Sequence, residues 1–156
     1  MALALEQYLV PGCFIRDLDV QSRDEALRAM VRTAAQTGLL REERDTLCRL
    51  VARVNVQSTA LAGGVAIPHG VSEAVSDLLI VIANCSRGLD FGAYDSEPTR
   101  LIVLLIGNPR RSHHIVATLA RVWRLARTTS FADRVAAALS YQDLLRALRE
   151  EETKIA

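Results

Sequence analysis

The chain has 156 residues, of which half are hydrophobic, and a formal net charge of +1 at pH 7. This length and composition predict a single domain over residues 1–156 with a core of two packed layers. The near-neutral charge and the aromatic content of 4% argue against nucleic-acid binding, and the lack of a long apolar run argues against membrane insertion.

The first third of the chain predicts a short strand and two helices. The strand is expected over residues 13–15. Ser22 and Glu25 then form the pattern of a capping box, which opens a helix that ends near Gly38. A second helix is expected over residues 41–53, because apolar side chains recur on one face. Its inward residues are predicted to be Leu47, Leu50 and Val51.

The remaining elements alternate between strands and helices. Strands are expected over residues 65–67, 78–83 and 101–106, and the last two are apolar throughout, as in strands that are covered on both faces. A helix is expected over residues 112–127. Two short closing helices are predicted to begin at Ser130 and Ser140. This alternation indicates an α/β sandwich.

The strand at 65–67 leads directly into a proline and a histidine. Pro68 cannot donate to a sheet ladder, so the strand should stop there and leave His69 at its end. Glycines at positions 63, 64 and 70 give backbone or ligand room to approach the imidazole. A histidine in this setting could be a nucleophile, an acid–base group or a metal ligand, although a histidine in a turn more often has a structural or surface role.

The segment before this histidine contains Arg53, then Ser58-Thr59, and then the apolar run that ends in Pro68-His69. This order resembles the active-site signature of enzyme IIA domains of the bacterial phosphotransferase system, in the fructose, mannitol and nitrogen-regulatory (type 2) branch. The resemblance covers roughly residues 5–150. The chain departs from the family pattern at Val54, where glutamate is usual.

The resemblance implies a small mixed sheet covered by helices on both faces. It also implies a histidine phosphocarrier, a phosphotransferase without a cofactor, in which His69 accepts a phosphoryl group from an HPr-like phosphocarrier protein. The group would pass to an enzyme IIB partner, or its presence would signal to a regulatory target, as in the nitrogen-regulatory subtype. A free-standing chain of this size most resembles that subtype.

A second histidine near the nucleophile is also implied by the resemblance. His113 and His114 are the candidates, and neighbouring helical residues point about 100° apart, so only one can face His69. We favour His114, because it directly precedes the apolar Ile115, as in the family, and His113 remains the alternative.

The resemblance further assigns phosphate binding to Arg53 and Thr59. A guanidinium group can hold two phosphate oxygens at once, although Arg53 could equally be an ordinary cation at a helix end. Thr59 could donate its hydroxyl to phosphate or bond its own backbone. Ser58 and Asp95 are further candidates, and Asp95 also suits a turn without any role in the site.

Other site chemistries find little support in the sequence. Two of the three histidines are adjacent, and the three cysteines are far apart, so we expect neither a metal site nor a disulfide framework. No Gly-x-Ser-x-Gly elbow indicates a serine hydrolase. No basic stretch followed by an apolar segment opens the chain, and we expect a cytoplasmic protein. The competing function is a non-catalytic interaction module with the same fold, which Val54 favours.

Overall fold

The computed structural model describes residues 4–155, which form one six-stranded sheet and five α-helices. The strands are β1 (Phe14–Ile15), β2 (Ala60–Leu61), β3 (Val65–Ala66), β4 (His69–Val71), β5 (Leu78–Leu89) and β6 (Thr99–Gly107). The helices are α1 (Arg23–Gln36), α2 (Glu43–Val56), α3 (Ser112–Thr128), α4 (Phe131–Ala137) and α5 (Tyr141–Thr153). None of the helices in this part of the chain has the length and hydropathy needed to cross a membrane.

The sheet is mixed, as the resemblance implied. Its order is β1-β5-β6-β3-β2. β4 also pairs with β6, on the same edge as β3 but farther along β6 toward its C-terminal end. The long central strands β5 and β6 are antiparallel, whereas β1 runs parallel to β5, and β3 and β4 run parallel to β6. The apolar runs of β5 and β6 are buried on both faces of the sheet, which explains why neither run alternates with polar residues.

The two faces of the sheet support two separate cores, because successive side chains of a strand point to opposite faces. On one face, Leu79 and Val81 of β5 pack in the cluster that contains the inner faces of α1 and α2. On the other face, Ile80 and Ile82 pack in the cluster formed by α3, α4 and α5. The predicted fold class, with helices on both faces of a small mixed sheet, is confirmed.

Two of the three predicted serine caps are present. The Ser22 hydroxyl accepts a hydrogen bond from the Glu25 amide at 3.2 Å, and the Ser140 hydroxyl accepts one from the Asp143 amide at 3.1 Å. The side chain of Ser130 makes no such bond at the start of α4. There the hydroxyl of Thr129 accepts from the Phe131 amide instead.

The second helix begins two residues later and ends three residues later than predicted. Its buried residues are Thr46, Leu50 and Val54, whereas Leu47 and Val51 are only partly buried. The prediction for Leu50 is confirmed, and the prediction that Val51 is an inward residue is wrong because the buried row follows a spacing of four residues. Val54 therefore contributes to the core and is only 4% exposed.

The chain passes from β3 to β4 through Pro68 without leaving the sheet. The carbonyl of Pro68 still accepts a hydrogen bond from the Leu105 amide at 2.9 Å, so only the donor side of the ladder is interrupted. His69 pairs with Leu105 and begins β4. The prediction that His69 lies at the end of a strand is wrong in detail, because pairing resumes directly after the proline.

Candidate active site

An open groove of about 1130 Å³ lies between the C-terminal end of α2 and the exposed face of α3, and His69 lines it. The segment from α2 to β2 contributes Ala52, Arg53, Val56, Gln57, Ser58, Thr59 and Leu61. The facing helix α3 contributes Val116, Leu119, Ala120, Trp123 and Arg124. The groove thus brings together four of the residues that the sequence singled out: the nucleophile candidate, the arginine and the Ser-Thr pair.

The two ring nitrogens of His69 have different surroundings. Nδ1 lies 2.9 Å from the carbonyl oxygen of Ile67. A carbonyl oxygen only accepts hydrogen bonds, so we assign the ring proton to Nδ1 from this contact. The lone pair of neutral His69 is therefore on Nε2, and the backbone two residues upstream fixes the tautomer without a side-chain carboxylate.

Arg53 lies beside the free nitrogen of this ring. Its Nη2 atom is 3.5 Å from Nε2 of His69. Arg53 lies in the last turn of α2, and its side chain is exposed in the groove. A guanidinium group in this place can hold oxygen atoms of an anion attached to Nε2, because its N–H groups form a planar fork.

The hydroxyls of the Ser-Thr pair differ in their partners. The Ser58 hydroxyl donates to the carbonyl of Phe91 at 2.9 Å and accepts from the Ala60 amide at 3.2 Å, so it ties the turn before β2 to the loop after β5. The Thr59 Oγ1 atom is buried and has no hydrogen-bond partner among the described residues. An unpartnered buried hydroxyl is costly, so a rotation of this side chain toward an acceptor in the groove would be favourable.

Asp95 contacts the glycine turn that precedes β3 and does not line the groove. Its Oδ2 accepts from the Gly63 amide at 3.0 Å, and its Oδ1 accepts from the Glu97 amide at 3.0 Å. The bond from Gly63, followed by the bond from Glu97, lowers the pKa of Asp95 from its ordinary value. The carboxylate therefore positions the turn and makes no contact with His69.

His113 and His114 begin α3 and have different environments. The Nδ1 atom of His114 is 2.8 Å from Oδ1 of Asp77 and 3.2 Å from the hydroxyl of Tyr8, so this ring ties three distant parts of the chain together. His113 is exposed, and it precedes the groove residue Val116 by three positions. This spacing places His113 on the same helix face as the groove wall.

Neither His113 nor His114 is among the described residues that line the groove. The ring of His114 is held by Asp77, whereas His113 lies on the helix face that carries the groove wall, and the preference for His114 stays a prediction.

The described residues 4–155 contain no cluster of metal-ligating side chains, and two of the three cysteines are buried. No group of three or more histidine, cysteine or acidic side chains in that part of the chain could hold a metal ion. Burial raises the pKa of the Cys13 thiol to about 11 and also raises the pKa of Cys85. These buried thiols stay protonated at neutral pH and are poor nucleophiles.

Comparison with known proteins identifies the family. The family described as the phosphoenolpyruvate-dependent sugar phosphotransferase system, EIIA 2, matches residues 7–151. The chain belongs to this family. A nitrogen regulatory protein of Bradyrhizobium diazoefficiens is 29% identical over 141 residues, which are 90% of this chain and 91% of that protein.

Solved structures share the fold of this EIIA 2 domain. The crystal structure of the nitrogen regulatory protein IIA-Ntr from Neisseria meningitidis has a TM-score of 0.78 at 22% identity, and the match covers 92% of this chain and 98% of that one. A chain in the complex of enzyme IIAMTL and phosphorylated enzyme IIBMTL from Escherichia coli has a TM-score of 0.74 at 17% identity, and covers 90% and 96%. At these identities the likeness concerns the fold.

Two features of this EIIA 2 domain were missed at the level of sequence. One is the apolar groove wall on α3, which contains Val116 and Trp123. Its signal is a second apolar row along a helix that already has a buried face at Ile115 and Val122. The other is the contact between His114 and Asp77, which no sequence pattern indicates because the two residues are far apart in the chain.

Proposed function

We propose that the chain is a histidine phosphocarrier of the phosphoenolpyruvate-dependent phosphotransferase system, and that Nε2 of His69 accepts the phosphoryl group from an HPr-like phosphocarrier protein. The observation that carries this proposal is the contact of Nδ1 with the Ile67 carbonyl, which leaves the lone pair of Nε2 beside Arg53 in an open groove. Membership of the EIIA 2 family supports the same chemistry.

The transfer is a displacement at phosphorus. The lone pair of Nε2 forms a new N–P bond while the N–P bond of the donor phosphohistidine breaks and its electron pair returns to the donor ring. The three oxygens of the transferred group keep their negative charge throughout. No metal or cofactor takes part, because the phosphoryl group arrives already activated on nitrogen.

Arg53 and Thr59 are the groups that receive the phosphoryl oxygens in this proposal. The guanidinium group of Arg53 lies beside Nε2, so it can donate hydrogen bonds to the phosphoryl oxygens in the transition state. The unpartnered hydroxyl of Thr59 is buried in the groove wall, and rotation of this side chain toward the groove would supply a neutral donor. Ser58 is already bound to backbone on both sides and serves as a turn residue.

The second histidine of the site is His113 in this proposal. His113 starts the helix face that forms the groove wall, and the described contacts leave its ring without the ion pair that occupies His114. When a partner covers the groove, the ring of His113 can add a hydrogen-bond donor close to the phosphoryl oxygens. His114 positions the start of α3 through Asp77 and Tyr8.

The onward step is transfer to an enzyme IIB partner, or signalling by the phosphorylation state. The relative from Bradyrhizobium diazoefficiens is a nitrogen regulatory protein, and the neighbour from Escherichia coli is in a complex with phosphorylated enzyme IIB. The competing function, a non-catalytic interaction module, is favoured in the sequence by Val54, where the family usually has glutamate. This side chain is buried and does not line the groove, so position 54 contributes no group to the groove of this chain.

The test is incubation with phosphoenolpyruvate, enzyme I and a phosphocarrier protein, followed by intact mass measurement at neutral or alkaline pH, because phosphohistidine is acid-labile. We expect the wild-type chain to gain the mass of one phosphoryl group and His69→Ala to gain none. His114→Ala is the matched control, since it removes a histidine that does not line the groove and keeps the acceptor. Undiminished labelling of His69→Ala would overturn the proposal.

A further inference from the structure

The groove that contains His69 has walls that expose large apolar side chains. Val56 at the end of α2 is 88% exposed, and on α3 Val116 is 67% exposed and Trp123 is 42% exposed. These residues line one groove and are not scattered singly over the surface. A contiguous exposed apolar surface of this kind is typical of a site where another molecule binds.

The charged residues that line this groove are all arginines. Arg53 and Arg124 line it, and the guanidinium group of Arg127 lies over the Trp123 ring, 5.0 Å from its centroid. No acidic residue of the described chain is among the lining residues. The groove is therefore apolar along its walls and cationic at its rim.

These three arginines also lack the ion pairs that neutralise many other arginines of the molecule. Within residues 4–155, no ion pair involves Arg53, Arg124 or Arg127, whereas neighbouring Arg121 on the same helix is paired with Glu152. The arginines that do form ion pairs are Arg23, Arg32, Arg49, Arg87, Arg121, Arg134, Arg146 and Arg149. The chain carries 19 basic and 18 acidic residues. The excess of positive charge at the groove therefore comes from the positions of these arginines and not from the composition of the chain.

Two acidic side chains of the loop after β5, Asp90 and Asp95, lie outside the lining of the groove. Asp90 accepts from the Gly92 amide, and Asp95 accepts from the Gly63 and Glu97 amides. Both carboxylates are thus engaged by backbone within the turns that contain or contact them, and neither lines the groove. The positive rim is left to be matched by a partner.

We propose that the protein partner that docks on this groove presents an apolar projection surrounded by acidic side chains. This inference rests on the proposed function, in which a phosphorylated protein must approach His69, and it adds the charge of that protein's docking face. Apolar contacts supply the buried centre of such an interface, and complementary charges at the rim raise the association rate and exclude partners with a basic face.

The apolar walls favour a protein over a nucleic acid as the occupant. Single-stranded nucleic acids bind to basic grooves with several aromatic side chains for base stacking, whereas Trp123 is the one aromatic side chain among the described residues that line this groove. Aliphatic side chains form the rest of its apolar wall, and these match the aliphatic face of a helix or loop.

Trp123 makes the proposal directly testable, because it is the single tryptophan of the chain and therefore reports on the groove alone. The probes are two helical peptides with the same apolar face, one flanked by glutamates and the other with lysine at each of those positions. We expect the acidic peptide to change the Trp123 emission saturably and to bind at least about tenfold more tightly at low salt than the basic peptide. Added salt should reduce this preference.

Charge reversal in the chain supplies the second arm of the experiment. Arg124→Glu and Arg127→Glu should each weaken binding of the acidic peptide and strengthen binding of the basic peptide. Arg28→Glu is the matched control, because Arg28 is exposed on α1 and does not line the groove. Anisotropy of a dye attached to the peptide gives a readout that does not depend on the contact between Arg127 and Trp123.

The proposal is overturned if neither peptide binds, if both bind equally, if the basic peptide binds more tightly, or if a single-stranded oligonucleotide binds more tightly than the acidic peptide. It is also overturned if Arg28→Glu has the same effect as the reversals in the groove. None of these measurements involves phosphoryl transfer. A failure here is therefore distinct from a failure of His69 to become phosphorylated.

Discussion

At the scale of single residues, the candidate site depends on which face of α3 each histidine occupies. His113 and His114 are adjacent, and their ring centroids are 4.3 Å apart, yet only His114 contacts Asp77. A difference of one position rotates a helical side chain by about 100°. The roles we propose for the two residues are therefore separable by mutation.

We expect His113→Ala to slow phosphorylation of His69 by about 10²-fold without a change in melting temperature, because removal of one charge-stabilising donor has an effect of this size. We expect His114→Ala to lower the free energy of unfolding by about 1 kcal/mol, because it loses its hydrogen bonds to Asp77 and Tyr8. Rapid-quench phosphorylation and thermal unfolding measure the two effects.

The opposite pattern would return the second-histidine role to His114. In that case His114→Ala would slow transfer, and His113→Ala would leave the rate unchanged. Asp77→Asn serves as the control for the structural role of His114. It should reproduce the stability loss of His114→Ala in direction, since it weakens the same contact from the other side.

At the scale of elements, the turn between β2 and β3 determines where the strand that leads to His69 begins. Gly63 and Gly64 have φ values of +84° and +81°, which side chains with a Cβ rarely adopt. The Gly64 carbonyl accepts from the Arg100 and Leu101 amides at 2.8 and 3.1 Å. Asp95 holds the other end of this turn through the Gly63 amide. The turn therefore couples the loop after β5 to the site.

We expect Asp95→Ala to destabilise this turn in a pH-dependent manner. The pKa of native Asp95 lies below its ordinary value of about 3.9, so its contribution to stability is complete above that value and is lost as the pH falls through the native pKa. The difference in free energy of unfolding between wild type and Asp95→Ala should stay constant from pH 7 to about pH 5 and shrink below about pH 4.

Chemical denaturation at several pH values measures this difference, and exchange of the Gly63 amide proton localises it. Asp95→Asn is the matched control, because its amide oxygen still accepts a hydrogen bond but carries no charge. A difference that stays the same down to pH 3 would show that the charge of Asp95 contributes nothing to the turn.

At the scale of the whole molecule, the groove depends on how closely α3 packs on the sheet. A Cβ atom added at Gly107, the last residue of β6, would lie 2.2 Å from Cγ1 and 2.3 Å from Cδ1 of Ile115. Ile115 is buried at the start of α3, and the same helix carries the groove wall. The glycine thus permits a close approach of the Ile115 side chain, which would have to shift if residue 107 carried a Cβ atom.

We expect Gly107→Ala to lower the free energy of unfolding by about 1–3 kcal/mol, because overpacking displaces α3 or forces Ile115 from its rotamer. Chemical denaturation is the measurement. Gly12→Ala is the control, since its added Cβ would lie 3.3 Å from Cγ2 of Thr37 and needs only a small adjustment. Equal effects of the two substitutions would mean that the contact with Ile115 does not limit the packing of α3.

The sequence predicted most of this architecture because the local patterns agree with the tertiary contacts. The apolar runs of β5 and β6 and the serine caps at Ser22 and Ser140 are examples. The sequence could not decide between the two histidines, because a helix start that is uncertain by one residue changes the predicted face. It also could not reveal that Asp77 holds the ring of His114, because this contact joins residues that are far apart in the chain.

The contact between His69 and the Ile67 carbonyl has a consequence for the leaving group in the onward step. The carbonyl cannot donate a proton, so it favours a ring that keeps its Nδ1 proton after Nε2 has formed a bond to phosphorus. Such a ring carries positive charge next to the bond that must break, and it departs as a neutral imidazole. In the proposed carrier, one backbone oxygen would therefore weaken the N–P bond and favour transfer of the phosphoryl group to the next acceptor.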